Sequence, residues 1–102
     1  MSEIKMWEIL VPTIRNDGRP FRLRYHRVWD KFVRNVSGGL TVIPPVKGTW
    51  ISDVGDLYTE RMIPVRIACT DEEIRKIAEH TKKYYEQLEV LYYLVSDTVH
   101  FV

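Results

Sequence analysis

Gly38-Gly39-Leu40-Thr41-Val42, then Gly48-Thr49-Trp50, then Tyr58-Thr59-Glu60-Arg61 is the stretch that decides the fold. It reads as a hairpin of two β-prone runs joined by Asp53-Val54-Gly55-Asp56, a turn by composition. The strand before the turn covers residues 40–51 and is broken by Pro44-Pro45. Proline cannot donate to a ladder, so this strand belongs on a sheet edge or carries a bulge. The strand after the turn covers 57–69. Arg61, Ile63, Val65, Ile67 and Cys69 share one of its faces, and Glu60, Met62, Pro64, Arg66 and Ala68 share the other.

A helix is predicted on each side of the hairpin. Over 22–36, Tyr25, Trp29, Phe32 and Val36 recur at helical spacing as one apolar stripe, and Ser37-Gly38-Gly39 stops the helix. Thr70-Asp71-Glu72-Glu73 is a capping box. The helix it opens runs to about Leu88, with Ile74, Ile77, Ala78, Thr81, Tyr84, Tyr85 and Leu88 buried. Residues 4–11 form a first strand with Trp7, Ile9 and Val11 on one face and Met6, Glu8 and Leu10 on the other. Residues 89–95 form a last strand. Strand, helix, strand, strand, helix, strand is the βαββαβ order. The expected fold class is α+β: a ferredoxin-like sandwich with a four-stranded antiparallel sheet and two helices on one face. Its sheet order, 4-1-3-2, puts the proline-broken strand at an edge.

With 102 residues the chain has room for one domain, taken as 1–102. A single cysteine, Cys69, cannot form an internal disulfide, and the three histidines show no zinc-ligand spacing. No phosphate-binding glycine loop occurs, so neither a metal nor a cofactor is expected. Met1-Ser2-Glu3-Ile4-Lys5 is not an export signal, and the longest apolar run, Val90 to Val95, is too short to span a membrane. A cytoplasmic setting follows as the expectation. The net charge of +1 is uneven: residues 15–34 carry seven basic side chains against Asp17 and Asp30, and the remainder is net acidic.

The hairpin resembles a bacterial family of unknown function, the domain labelled DUF3574. The residues that carry the likeness are Phe32, Gly39-Leu40-Thr41-Val42, Gly48-Thr49-Trp50, Glu60-Arg61, the strand from Met62 to Ile67, and more loosely Tyr84 and Val90-Leu91. They span about two-thirds of the chain. The basic segment 19–27 and the Pro44-Pro45 break depart from the pattern. The resemblance implies a ferredoxin-like fold. It implies no reaction, and so no catalytic residue.

Each candidate site has a plainer role beside it. Arg24, Arg27, Lys31 and Arg34 lie opposite the first helix's apolar stripe and are the anion-binding candidates. Tyr25, Trp29 and Phe32 point to the core, so no aromatic platform accompanies the cations, and specific nucleic-acid binding is not expected. A solvated stripe is the plainer reading. Glu8, Trp50, Glu60 and Arg66 are the ligand-binding candidates. Glu8 and Glu60 share the open sheet face, where a carboxylate pair would raise one pKa for acid–base work. The plainer alternative is a Glu–Arg cross-strand pair. Trp50 closes over a ligand or, on the plainer reading, packs the rim of the core or a subunit contact.

Two functions fit. The first is a homo-oligomeric interaction or structural module that associates through the open sheet face. Met6, Leu10, Met62, Pro64 and Ala68 make that face apolar, with Tyr92 and Leu94 as possible additions from the last strand. The second is a small enzyme or small-molecule binder of the dimeric α+β barrel type with its site on the same face.

Overall fold

The computed structural model of the chain describes residues 3–102. β1 (Lys5–Pro12) and β4 (Leu57–Cys69) pair antiparallel from Lys5↔Cys69 to Pro12↔Met62. Strict alternation along this central pair buries Ile9, Val11, Val65, Ile67 and Cys69 under the helices. β5 (Tyr92–Ser96) flanks β1, and β2 (Thr41–Val42) and β3 (Val46–Ile51) both pair with β4 on its far side. The strand expected over 40–51 is therefore two short strands separated by Pro44-Pro45, both on the outer edge. Counted as one, they restore the expected order, and the sheet has five strands only because proline removes the ladder bonds between them.

α1 (Leu23–Ser37) ends as the glycine predicts. Gly38 takes a left-handed conformation (φ 92°), and its N–H reaches the Arg34 carbonyl at 2.8 Å. α1 buries Trp29 and also Val33, which completes the stripe beside Phe32. α2 (Asp71–Tyr84) has the full capping box, with Glu73 N–H on Thr70 Oγ1 at 3.2 Å and Thr70 N–H on Glu73 Oε1 at 2.9 Å. It stops earlier than its apolar pattern suggests. Glu86 is left-handed (φ 53°), Gln87 N–H returns to the Lys82 carbonyl, and Leu88 is 92% exposed rather than buried.

The helices lie on one face of the sheet and join through a polar seam inside an aromatic one. Trp29 Nε1 donates to Thr81 Oγ1 at 2.8 Å, and Thr81 donates onward to the Ile77 carbonyl at 2.6 Å. The Tyr25 hydroxyl donates to the Tyr84 carbonyl and the Tyr84 hydroxyl to the Tyr25 carbonyl. Phe21, Tyr25, Tyr84, His80 and Phe32 form a continuous ladder of stacked rings across the two helices, with His80 and Phe32 centred 3.7 Å apart.

Two histidines belong to this seam. His26 Nδ1 lies 2.7 Å from the buried Tyr85 hydroxyl. Burial holds both imidazoles below the ordinary value of 6.5; Asp30 opposes the shift at His26, and Lys83 reinforces it at His80. The unfolded chain therefore takes up protons at these sites before the native state does, so stability is complete above about pH 6.5 and falls as pH drops below it. Urea unfolding is expected to show a lower midpoint at about pH 5.5 than at about pH 7.5. His80→Phe keeps the ladder and should shrink that difference. Equal midpoints for the unsubstituted protein would contradict the assignment.

Candidate functional site

β4 positions both groups of candidate residues. It has 13 residues, and β1 covers it only from Met62 onward. Its C-terminal half is central to the sheet. Its N-terminal half pairs only with β3 and projects as a two-stranded arm.

On the central half, Glu8 stands opposite Arg66, away from the helices. Glu8 is 7% exposed. Its Oε1 accepts from Arg66 Nε at 3.0 Å, and its Oε2 accepts from the Tyr93 hydroxyl. Both carboxylate oxygens are thus engaged, which satisfies a charge that burial would otherwise penalise. This is the cross-strand pair of the plainer reading, with a tyrosine added. The expectation placed Tyr92 and Leu94 on this face; the structure places Tyr93 there instead. Glu8 pairs with Tyr93 and Ile9 with Tyr92, so Tyr92 packs toward the core and onto Trp7 and does not join the open face. Leu94, opposite Trp7, goes with it. Alternation in a five-residue strand fits either phase, and only its pairing with β1 chooses between them.

On the arm, Gly48 faces Glu60 and Trp50 faces Tyr58. The resemblance motif is therefore a cross-strand constellation: its Gly-x-Trp lies against its Glu. A Cβ at Gly48 would collide with the Met62 methyl, so the glycine makes room for that side chain. The rings of Trp50 and Tyr58 stack with centroids 5.9 Å apart and planes 17° apart. Burial raises the Glu60 carboxyl above its ordinary value.

Glu60 and Arg66 are six residues apart on one strand, so Glu60 lies about 20 Å from Glu8. The carboxylate pair expected from their shared face does not form. The four ligand-binding candidates divide into Glu8–Arg66, closed by Tyr93, and Trp50–Glu60, joined by Tyr58.

Arg24, Arg27, Lys31 and Arg34 are all exposed along α1, while Tyr25, Trp29 and Phe32 turn toward α2 and the sheet. Cys69 is buried and free, and burial pushes its thiol up to about 12, so it packs as a small hydrophobe. Among the described residues no group of three His, Cys, Asp or Glu side chains could hold a metal ion, and no helix is long and apolar enough to cross a membrane.

No family model matches the chain, and no curated protein matches it in sequence. Solved structures do share its architecture. CutA1 from Oryza sativa superposes with a TM-score of 0.71 at 10% identity, covering 98% of this chain and 85% of its own. CutA from Xylella fastidiosa gives 0.71 at 11% identity, covering 98% and 88%. A phage SAM lyase in complex with S-methyl-5'-thioadenosine gives 0.70 at 12% identity, covering 97% and 85%. At these identities the likeness is one of fold. It agrees with the ferredoxin-like topology traced above.

Proposed function

We propose that this chain is a homo-oligomeric interaction module whose copies associate through the arm and the adjoining open sheet face. The carrying observation is the arm itself. Trp50 is 42% exposed and Tyr58 48%, on the side continuous with the open face. Ile51 and Leu57, paired at the arm's far end, are each 70% exposed. An isolated two-stranded hairpin is marginally stable in water, and it gains stability when its apolar faces find a partner surface. Among the described residues no strand covers the β1-side edge of β4 before Met62; Thr13 Oγ1 donates to the Arg61 carbonyl there, and the edge beyond it toward Leu57 is open to strand addition.

A second copy suits the arm on electrostatic grounds. The arm mixes Lys47 and Arg61 with Asp53, Asp56 and Glu60, and the whole chain carries only +1, so like copies do not repel strongly. The resemblance to the DUF3574 family belongs to the same proposal, because its motif is the arm. The proposed setting is the cytoplasm, where a lone buried thiol stays reduced. Light scattering at micromolar concentration is expected to return a dimer or larger. A strict monomer would overturn the reading.

One observation favours a second reading, a small-molecule binder or enzyme of the dimeric α+β barrel type. The Trp50–Tyr58 stack adjoins a carboxyl whose pKa burial raises, an arrangement able to hold a planar ligand and donate a proton. Glu8 and Arg66 already satisfy each other, so this reading rests on Trp50 and Glu60. S-methyl-5'-thioadenosine, the ligand in the phage lyase structure, is the probe. Calorimetric binding that Glu60→Gln abolishes would support it, and an oligomer that binds nothing would leave the first reading alone.

A further inference from the structure

Beside the start of α1 is an open recess of about 360 Å3, lined by Arg15, Arg22, Arg24, Tyr25, Val28 and Tyr84. Three guanidinium groups border it, and among the described residues none of them lies within ion-pair distance of a carboxylate. The nearby Asp17 is bound by Arg19 at 2.7 Å, and the first turn of α1 holds no acidic residue. Arg15 is held rather than free. Its guanidinium carbon sits 4.8 Å from the centre of the Phe21 ring and 5.0 Å from that of Tyr25. Cation–ring attraction at this range holds the guanidinium beside the two rings while leaving its N–H groups to an acceptor. The recess wall is equally fixed, because Tyr25 and Tyr84 are locked by their two reciprocal hydroxyl–carbonyl bonds.

We propose that this recess binds the phosphate group of a small phosphorylated molecule, a monoester or a diphosphate. Guanidinium forks match phosphate oxygens with paired donors, and three of them outweigh the charge of about −2 on a phosphate monoester. Val28, more than half exposed, and the edges of the two tyrosines offer an apolar shelf for the rest of the ligand. The faces of Tyr25 are occupied by Phe21 and Tyr84, so the ligand's body lies against the rings and does not intercalate. The sequence grouped Arg24 with Arg27, Lys31 and Arg34 by helical spacing. The fold instead joins Arg24 to Arg15 and Arg22 from the preceding loop.

Isothermal titration at low ionic strength with inorganic phosphate, pyrophosphate and adenosine monophosphate tests this, with adenosine as the phosphate-free control. The phosphorylated probes are expected to saturate and adenosine to give no heat. Arg15→Gln and Arg24→Gln should each weaken binding roughly tenfold, the loss of one charge-assisted contact. Lys31→Gln, on the same helix but outside the recess, should leave it unchanged. Arg24 is exposed, so its variant folds whatever becomes of Arg15. Three results would overturn the proposal. They are no saturation at millimolar probe, a loss in Lys31→Gln equal to that in Arg24→Gln, or binding of a ten-nucleotide RNA where adenosine monophosphate does not bind. The last would identify a polynucleotide backbone as the occupant.

Discussion

On the proposed association through the arm, Trp50→Asp is expected to leave the protein monomeric at micromolar concentration with its body folded. Trp50 and Tyr58 are the large rings on the arm's open-face side, and they stack on each other, so both are presented as one rigid plate. Aromatic anchors of this kind dominate interface energies, and losing one costs about 3 kcal/mol, on the order of a hundredfold in Kd. Aspartate adds a desolvation penalty in the same place. Nothing in the core depends on the substitution, because the arm projects beyond β1 and contributes none of the buried cluster. Sedimentation velocity should therefore show the monomer, and circular dichroism an unchanged spectrum. A variant that remains assembled would move the interface off the arm. A variant that unfolds would show that the arm supports the body, which the packing gives no reason to expect.

What the sequence made legible follows from the range of the signals involved. Local ones read well. The capping box at Thr70, the glycine stop at Gly38 and the proline break at 44–45 each act within a few residues, and each sits where expected. Strand order followed from them, because Pro44-Pro45 excludes that segment from the sheet centre. Signals that depend on register across strands read poorly. Glu8 and Glu60 share a face, as alternation says. The distance between them depends on the register of β1 along β4, which sets Glu8 opposite Arg66 and six residues from Glu60, and alternation does not carry register. Tyr93 was missed for the same reason. Pairing with Ile9 and Glu8 sets the last strand's faces, placing Tyr93 rather than Tyr92 on the open side. The α2 terminus was overrun because Leu88 continues the helical spacing, whereas the chain leaves the helix through a left-handed glutamate, an uncommon choice of residue there. The regrouping of Arg24 with Arg15 and Arg22 lies beyond periodicity altogether, since it joins a loop to a helix.

Arg66→Met is expected to destabilise the fold more than its half-exposed position suggests, and the reason is Glu8. Removing the guanidinium leaves a carboxylate that is 7% exposed with only the Tyr93 hydroxyl as a side-chain partner. Breaking a fully buried pair this way costs about 3–5 kcal/mol. The Arg66 side chain is 47% exposed, so water screens part of that charge, and a loss of about 2 kcal/mol is the discounted expectation. Glu8→Gln removes the charge that needed Arg66, and its amide oxygen still accepts from Tyr93. The double variant Glu8→Gln/Arg66→Met should therefore recover most of the loss, which makes the two substitutions strongly non-additive. Urea unfolding of the four proteins at one fixed concentration measures the coupling; the concentration is held because the proposed association would add to apparent stability. Simple additivity, with Arg66→Met costing no more than an ordinary surface change, would mean that Glu8 is solvated by something other than Arg66. Recovery would identify the Glu8–Arg66–Tyr93 cluster as a structural clamp on the open face. The same measurement bears on function, because a carboxylate whose two oxygens are held by Arg66 and Tyr93 is not open to a ligand. That leaves the arm, with Trp50 and Glu60, as the part of this face free to meet a partner.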